Sequence, residues 1–335
     1  MWRRTIGIIV LLVLAILAAS LTAAATPAVN VRRIGFLTQF ATPAEAETRQ
    51  APMSAVWHAL QELGWREGHN ITVESRYADA GGHVERLPEL AADLVRLRVE
   101  VIITQGTVAT RAAMHATTTI PIVMAFTGFA VELGLVASLA RPGGNVTGVS
   151  VVDTELVGKQ LELFKEAVPT LTHLGFLWDT ENPIFAIEKR ALQATSQALG
   201  ITVHDLTMSG STSTWEQLAA TITQEPLDAL WVPPSPFTSR YRQEIADFAV
   251  QQGLPVWGAK WLTERGGLMT YIATENAQGR TVALYVDRIL KGAKVAEMPL
   301  WRPLRYEFVI NLKTAKALGL TIPPTLLFQA DEVIK

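Results

Sequence analysis

Four short landmarks occur in this chain twice and in the same order. Gly35-Phe36-Leu37 returns as Gly175-Phe176-Leu177, and Ile71-Thr72-Val73 returns as Ile201-Thr202-Val203. Val99-Glu100 is answered by Leu227-Asp228, and Ile120-Pro121-Ile122-Val123 by Leu254-Pro255-Val256-Trp257. The copies lie 128 to 140 residues apart, so they differ mainly in loop length. Each copy also carries a Leu-Gly step, Leu63-Gly64 and Leu199-Gly200, the pattern of a helix that ends in a left-handed glycine. Apolar runs at 34–37, 101–104, 122–125, 174–177 and 229–232 read as strands buried on both faces. Stretches with helical spacing at 84–97, 156–167, 186–199 and 241–251 separate them. Strand and helix in alternation predict parallel sheets flanked by helices. The duplication predicts two such lobes, each with a parallel sheet flanked by helices, and one cleft between them. Ligands of open α/β sheets bind at the C-terminal ends of the strands, so the loops there are the candidate site.

A chain of 335 residues holds two units of this kind. Hydrophobic residues make up 49% and charged residues 18%, which supports two large cores. The net charge is −2 with signs mixed along the chain, so no basic stripe offers itself to nucleic acid. Arg3 and Arg4 precede an apolar run over 6–19, followed by Ser20, Leu21, Thr22 and Ala23-Ala24-Ala25. This is the layout of a secretory signal peptide over 1–25, with the mature chain starting near Thr26. A retained anchor helix is the competing reading, because 6–25 is just long enough to span a bilayer. Either reading places the protein in the periplasm or another extracytoplasmic space. Cysteine is absent, which removes disulfides, thiolate ligands and thiol nucleophiles alike.

Motifs of catalysis are missing. Gly158-Lys159 has Asp153 where a phosphate loop needs glycine, and Gly148-Val149-Ser150 lacks the closing glycine of a nucleophile elbow. The stretch 143–148 is glycine-rich but lacks dinucleotide spacing, and reads as a turn entering a strand. The six histidines, at 58, 69, 83, 115, 173 and 204, make no i, i+4 pair. No cofactor, metal or enzymatic activity is expected.

Three long stretches carry a family resemblance: 87–95 (LPELAADLV), 134–148 (GLVASLARPGGNVTG) and 309–320 (VINLKTAKALGL), with ADEVI closing the chain at 330–334. They resemble the substrate-binding proteins of ABC transporters related to tryptophan- and tyrosine-binding proteins. The resemblance runs from about residue 33 to the end. It implies the type I periplasmic-binding-protein fold, with two Rossmann-like lobes joined by three crossovers that form a hinge beside a central cleft. It also implies that a monomer closes on a small-molecule ligand and is then read by a membrane permease. The expected boundaries are 31–149 plus 268–302 for the N-terminal lobe and 150–267 plus 303–335 for the C-terminal lobe.

The candidate ligand-binding residues follow the strand ends. The first lobe supplies Gln39, Phe40, Thr107, Phe126, Thr127, Gly128 and Phe129; the second supplies Trp178, Asp179, Asn182, Ser235, Phe237, Lys260 and Trp261; Tyr271, at the end of the stretch 266–271, completes the set. Thr107, Asn182-Pro183 and Tyr271 match the family pattern, whereas Phe129, Ser235 and Trp261 stand where the family tends to be acidic. An ammonium group closed into a cleft needs a carboxylate partner. The expected ligand is therefore uncharged or anionic with an apolar or aromatic part, oriented by Thr107, Ser235 and helix N-termini, with Lys260 facing an anion. The aromatic residues beyond the strand ends serve equally as lobe core. A ligand sensor that signals to a membrane receptor or kinase shares this fold, and an enzyme and a transcriptional regulator are remoter alternatives.

Overall fold

The computed structural model describes residues 31–39, 53–78, 83–208 and 213–335. The signal segment 1–25 and Phe40 lie outside the described residues.

The first unit alternates strand and helix: β1 (Arg32–Thr38), α1 (Ser54–Glu62), β2 (Ile71–Tyr77), α2 (Leu87–Arg96), β3 (Val101–Gln105), α3 (Thr107–Ala116), β4 (Ile122–Thr127) and β5 (Val146–Ser150). The second begins with α4 (Thr154–Ala167), β6 (His173–Asp179), α5 (Pro183–Leu199), β7 (Thr202–Met208), α6 (Trp215–Gln224) and β8 (Ala229–Val232). It continues through α7 (Pro236–Arg240), α8 (Arg242–Gln252), β9 (Val256–Gly258), α9 (Lys260–Thr263) and β10 (Met269–Ile272). Last come α10 (Glu275–Leu290), β11 (Glu307–Asn311), α11 (Leu312–Ala317), α12 (Pro324–Gln329) and β12 (Glu332–Ile334).

Two sheets result, ordered β2-β1-β3-β4-β5 and β12-β11-β10-β9-β8-β6-β7. All pairings are parallel except β10 with β11. Shifting the first order by five strands gives β7-β6-β8-β9-β10, the order found inside the second sheet. The repeat in the sequence is therefore a repeat of topology, extended at one edge by β11 and β12. The repeated glycine has a packing reason. A Cβ on Gly35 would meet Leu94 and Val99 at 3.2 Å, and one on Gly175 would meet Leu206 at 2.7 Å and Leu227 at 2.8 Å. In both copies a residue just before the third strand closes over the glycine of the first.

Each sheet has a core on both faces. In the first, Val56 and Leu60 of α1 with Val282 and Val286 of α10 cover one face, and Leu87, Leu94 and Ala113 of α2 and α3 cover the other. In the second, α4 and α5 pack with Phe164, Phe185 and Leu192 on one face, while α6 and α8 bring Leu218, Ile222 and Ile245 to the other. Among the described residues no helix is long and apolar enough to cross a membrane.

The chain passes between the sheets three times. It leaves the first sheet after Ser150, returns into α10 after β10, and leaves again through Trp301. Trp301 bridges to Val149, its carbonyl accepts the Ser150 N–H at 3.0 Å, and Arg302 pairs with Asp153. One expected boundary needs correction. Met269–Ile272 is a strand of the second sheet, paired with β9 and β11, so the second crossing lies beyond Ile272 and not at 267. Gly266-Gly267 turns the chain from α9 into this short strand, whose first two residues are buried.

Candidate ligand site at the strand ends

The neighbouring strands β1, β3 and β4 bring Gln39, Gln105, Thr107 and Thr127 together at one edge of the first sheet. All four are buried. The Thr38 hydroxyl donates to Gln105 Oε1 at 2.8 Å, and the Ala109 N–H points to Gln39 Oε1 at 3.4 Å. Among the described residues, the ends of these three strands carry no ionisable side chain from Thr38 to Gln39, Gln105 to Thr107 or Phe126 to Phe129.

Helix α3 opens on this edge. Its N-cap is Gly106 at φ 89°, which supplies no capping side chain. Thr107, at the first helical position, is 2% exposed, and its Oγ1 has no hydrogen-bond partner. A helix N-terminus concentrates partial positive charge and N–H donors. A buried hydroxyl without a partner costs about 1–3 kcal/mol. The two together suit an anionic oxygen.

The connection after β4 behaves differently from the expectation. Phe126 and Phe129 both have positive φ, 53° and 50°, conformations in which bulky side chains are strained. Phe126 packs on the first sheet's core beside α1 and α10. Phe129 is 1% exposed and sits in the core of the second sheet, its N–H donating to the Val152 carbonyl at 2.8 Å. Between them, Gly128 is packed so closely that a Cβ would lie 3.0 Å from Val152 and 3.4 Å from Ile184. This segment ties the two lobes together. Phe129 is thus built into the core and does not form an open wall.

In the second sheet, β6, β8, β9 and β10 are neighbours and place the remaining candidates along one edge. Several have partners within the protein. Asn182 Oδ1 accepts the Ile184 N–H at 3.2 Å and caps α5; Asp179 Oδ1 accepts the Glu181 N–H at 2.9 Å. Ser235, fully buried, forms a reciprocal capping box with Thr238 at the start of α7. Phe237 lies 4.7 Å from the Tyr241 ring, and Phe237 and Trp261 both pack on the core beneath α8. Tyr271 packs 5.2 Å from Tyr306 and 5.8 Å from Phe308. Lys260 Nζ donates to Glu307 at 2.6 Å and Glu332 at 2.8 Å. Although burial opposes its charge, these carboxylates hold the Lys260 ammonium above the ordinary lysine pKa. Lys260 therefore closes a cluster with two acids and is not a cation left over for an anion. Trp178 stacks on Phe176 under Lys189, and its indole Nε1 is buried with no partner.

Two features escape inspection of the sequence. Gln278, in the first turn of α10, is buried with its Nε2 on the Ala273 carbonyl and its Oε1 unpartnered. His173 and His204, 31 positions apart, meet at 2.9 Å across β6 and β7, with Glu225 3.1 Å from the second ring. Their only sequence signal is membership of strands that pair. Among the described residues no group of three or more metal-ligating side chains converges.

Comparison with known proteins follows the fold. A family model described as ABC transporter substrate binding protein matches residues 39–334. A tyrosine-binding protein of Clostridioides difficile (strain R20291) is 25% identical over 263 residues, 78% of this chain and 74% of the relative. An ABC domain from Streptococcus pneumonia, solved in complex with L-Trp, superposes with a TM-score of 0.80 at 25% identity, covering 91% of this chain and all 100% of that one. A conserved domain protein from Vibrio cholerae gives a TM-score of 0.80 at 25% identity, over 90% and 99% of the two chains.

Proposed function

This chain belongs to the family of ABC transporter substrate-binding proteins, and we propose that it works outside the cytoplasm, closing its two lobes on a small carboxylate with an aromatic or apolar body and presenting it to a membrane permease. The observation that carries the ligand class is the start of α3. There a helix N-terminus whose N-cap glycine supplies no capping side chain and the unpartnered Thr107 hydroxyl meet at a strand edge without ionisable side chains in its described loops. Such a place accepts a carboxylate and offers no counter-charge to an ammonium group. The relatives named for tyrosine and solved with L-Trp fit this class, because both molecules carry a carboxylate on an aromatic body. Ser235 and Phe129, which replace acidic residues of the family pattern, are committed to a cap and to a core, so neither supplies the charge that an amino group would need.

Calorimetric titration tests the proposal with three sets of probes: tyrosine and tryptophan, their deaminated acids para-hydroxyphenylpropionate and indolepropionate, and the amines tyramine and tryptamine. The deaminated acids should bind more tightly than the amino acids, whose ammonium finds no counter-charge, and the amines should not bind. Thr107→Val should weaken the acids about tenfold while the lobes stay folded, as expected for one hydrogen bond to a charged group. Amines that bind as tightly as the acids, or a protein that takes up none of the acids, would overturn the proposal.

A further inference from the structure

The C-terminal end of β6 presents an indole, Trp178, whose ring is engaged and whose N–H is not. Phe176 and Trp178 are two apart and share one face of the strand; their rings stack at 6.5 Å and 12°. Lys189 of α5 sets its Nζ 5.1 Å from the centre of the Trp178 ring and pairs with Asp205. The ring is thus fixed by its own protein. Its Nε1 is buried and has no hydrogen-bond partner. Buried indole N–H groups usually find one, and two others in this chain do. Trp231 donates to Glu188 at 2.8 Å and Trp65 to Asp287 at 2.9 Å. Nearby Asn182 has its oxygen on the Ile184 N–H. The orphan donor stands at the C-terminal edge of the second sheet, where open sheets take ligands, and Thr107 is the matching orphan in the first.

We infer that the Trp178 N–H donates to an acceptor oxygen on the ligand, at the end of the molecule that faces the second lobe. The inference rests on the proposed carboxylate ligand and deepens it. With the carboxylate at α3, the oxygen read by Trp178 is a second one, carried by the ligand's body, as a phenol hydroxyl would be. The N–H cannot accept, so the group it reads must have a lone pair. Trp178 is then a specificity residue that distinguishes a hydroxylated aromatic acid from its plain counterpart.

Phenylpropionate and para-hydroxyphenylpropionate are the probes, titrated into the wild-type protein and Trp178→Phe. The variant keeps an aromatic ring over Phe176 and deletes the donor together with the rest of the five-membered ring. Wild type should prefer the hydroxylated acid by about three- to tenfold, the range of one hydrogen bond. In protein labelled at the indole nitrogen, the Trp178 signal, identified by its loss in the variant, should move when that acid is added. Trp178→Phe should lose the preference while the ligand-free protein stays folded and still binds phenylpropionate. A signal that stays in place, or a variant that keeps the preference, overturns the inference. If wild type binds both acids alike, the Trp178 role alone falls. If it binds neither, the carboxylate reading falls and takes this role with it.

Discussion

Glu188 shows what one buried side chain does to the molecule. It lies on α5 among apolar neighbours, with the Trp231 N–H as its donor at 2.8 Å. Burial pushes its carboxyl up from the ordinary 4.5 to about 7, against a smaller opposing effect of the indole. A folded-state pKa above the unfolded value means that the native protein binds this proton more tightly. Its contribution is then most favourable below pH 4.5, falls as pH rises to about 7, and stays level above that. Glu188→Gln removes the buried charge and leaves an oxygen for the indole. It should raise stability by about 3 kcal/mol at pH 8 and change it little at pH 4. Urea unfolding at both pH values checks this; an equal difference at the two would mean that Glu188 does not carry its proton at neutral pH.

The pairing of β4 with β5 depends on Gly148. Its φ is 130°, and a Cβ there would lie 2.2 Å from the Met124 oxygen and 2.6 Å from the Met124 nitrogen. The same ladder loses its regular register between Met124 and Thr127, just where the chain turns toward the site. Neither atom in the way can move without opening the sheet, so Gly148→Ala should cost about 3 kcal/mol or more. Gly144→Ala, four residues earlier and with nothing within 4 Å of its Cβ, should stay within about 0.5 kcal/mol of the parent. Denaturant unfolding of the two variants checks the contrast, and similar losses would contradict it. Elements like these were partly legible in advance. The duplicated landmarks could be read because strands buried on both faces must be apolar, and because two copies check each other. β10 was harder: it is four residues long, and β11 beside it and β12 beyond have no counterpart in the first copy. For the site, strand ends could be read but side-chain direction could not. Phe129 looks the same in sequence whether it lines a cleft or fills a core. Lys260 finds its acids 47 and 72 positions away, which no local pattern records.

At the scale of the whole molecule, the lobes are held by more than their three crossings. The segment after β4 puts Ala130, Leu135 and Val136 into the first sheet's core and Phe129 into the second's, while Leu133 packs against both. It is a fourth tie, and it starts at the strand end that carries Thr127 and Gly128. Any opening of the lobes must either carry Phe129 out of its site or bend the segment around it. Truncating the ring removes that tie. Phe129→Ala should therefore destabilise by about 3 kcal/mol, as core truncations of this size do, and should also let the ligand-free lobes splay. Small-angle scattering would register the splay as a larger radius of gyration. Phe164→Ala is the control, because Phe164 is fully buried in the same core but belongs to α4 and not to the segment after β4. It should lower stability by a similar amount without changing the scattering. Identical scattering from the two variants would show that the segment after β4 packs against the second lobe without restraining it.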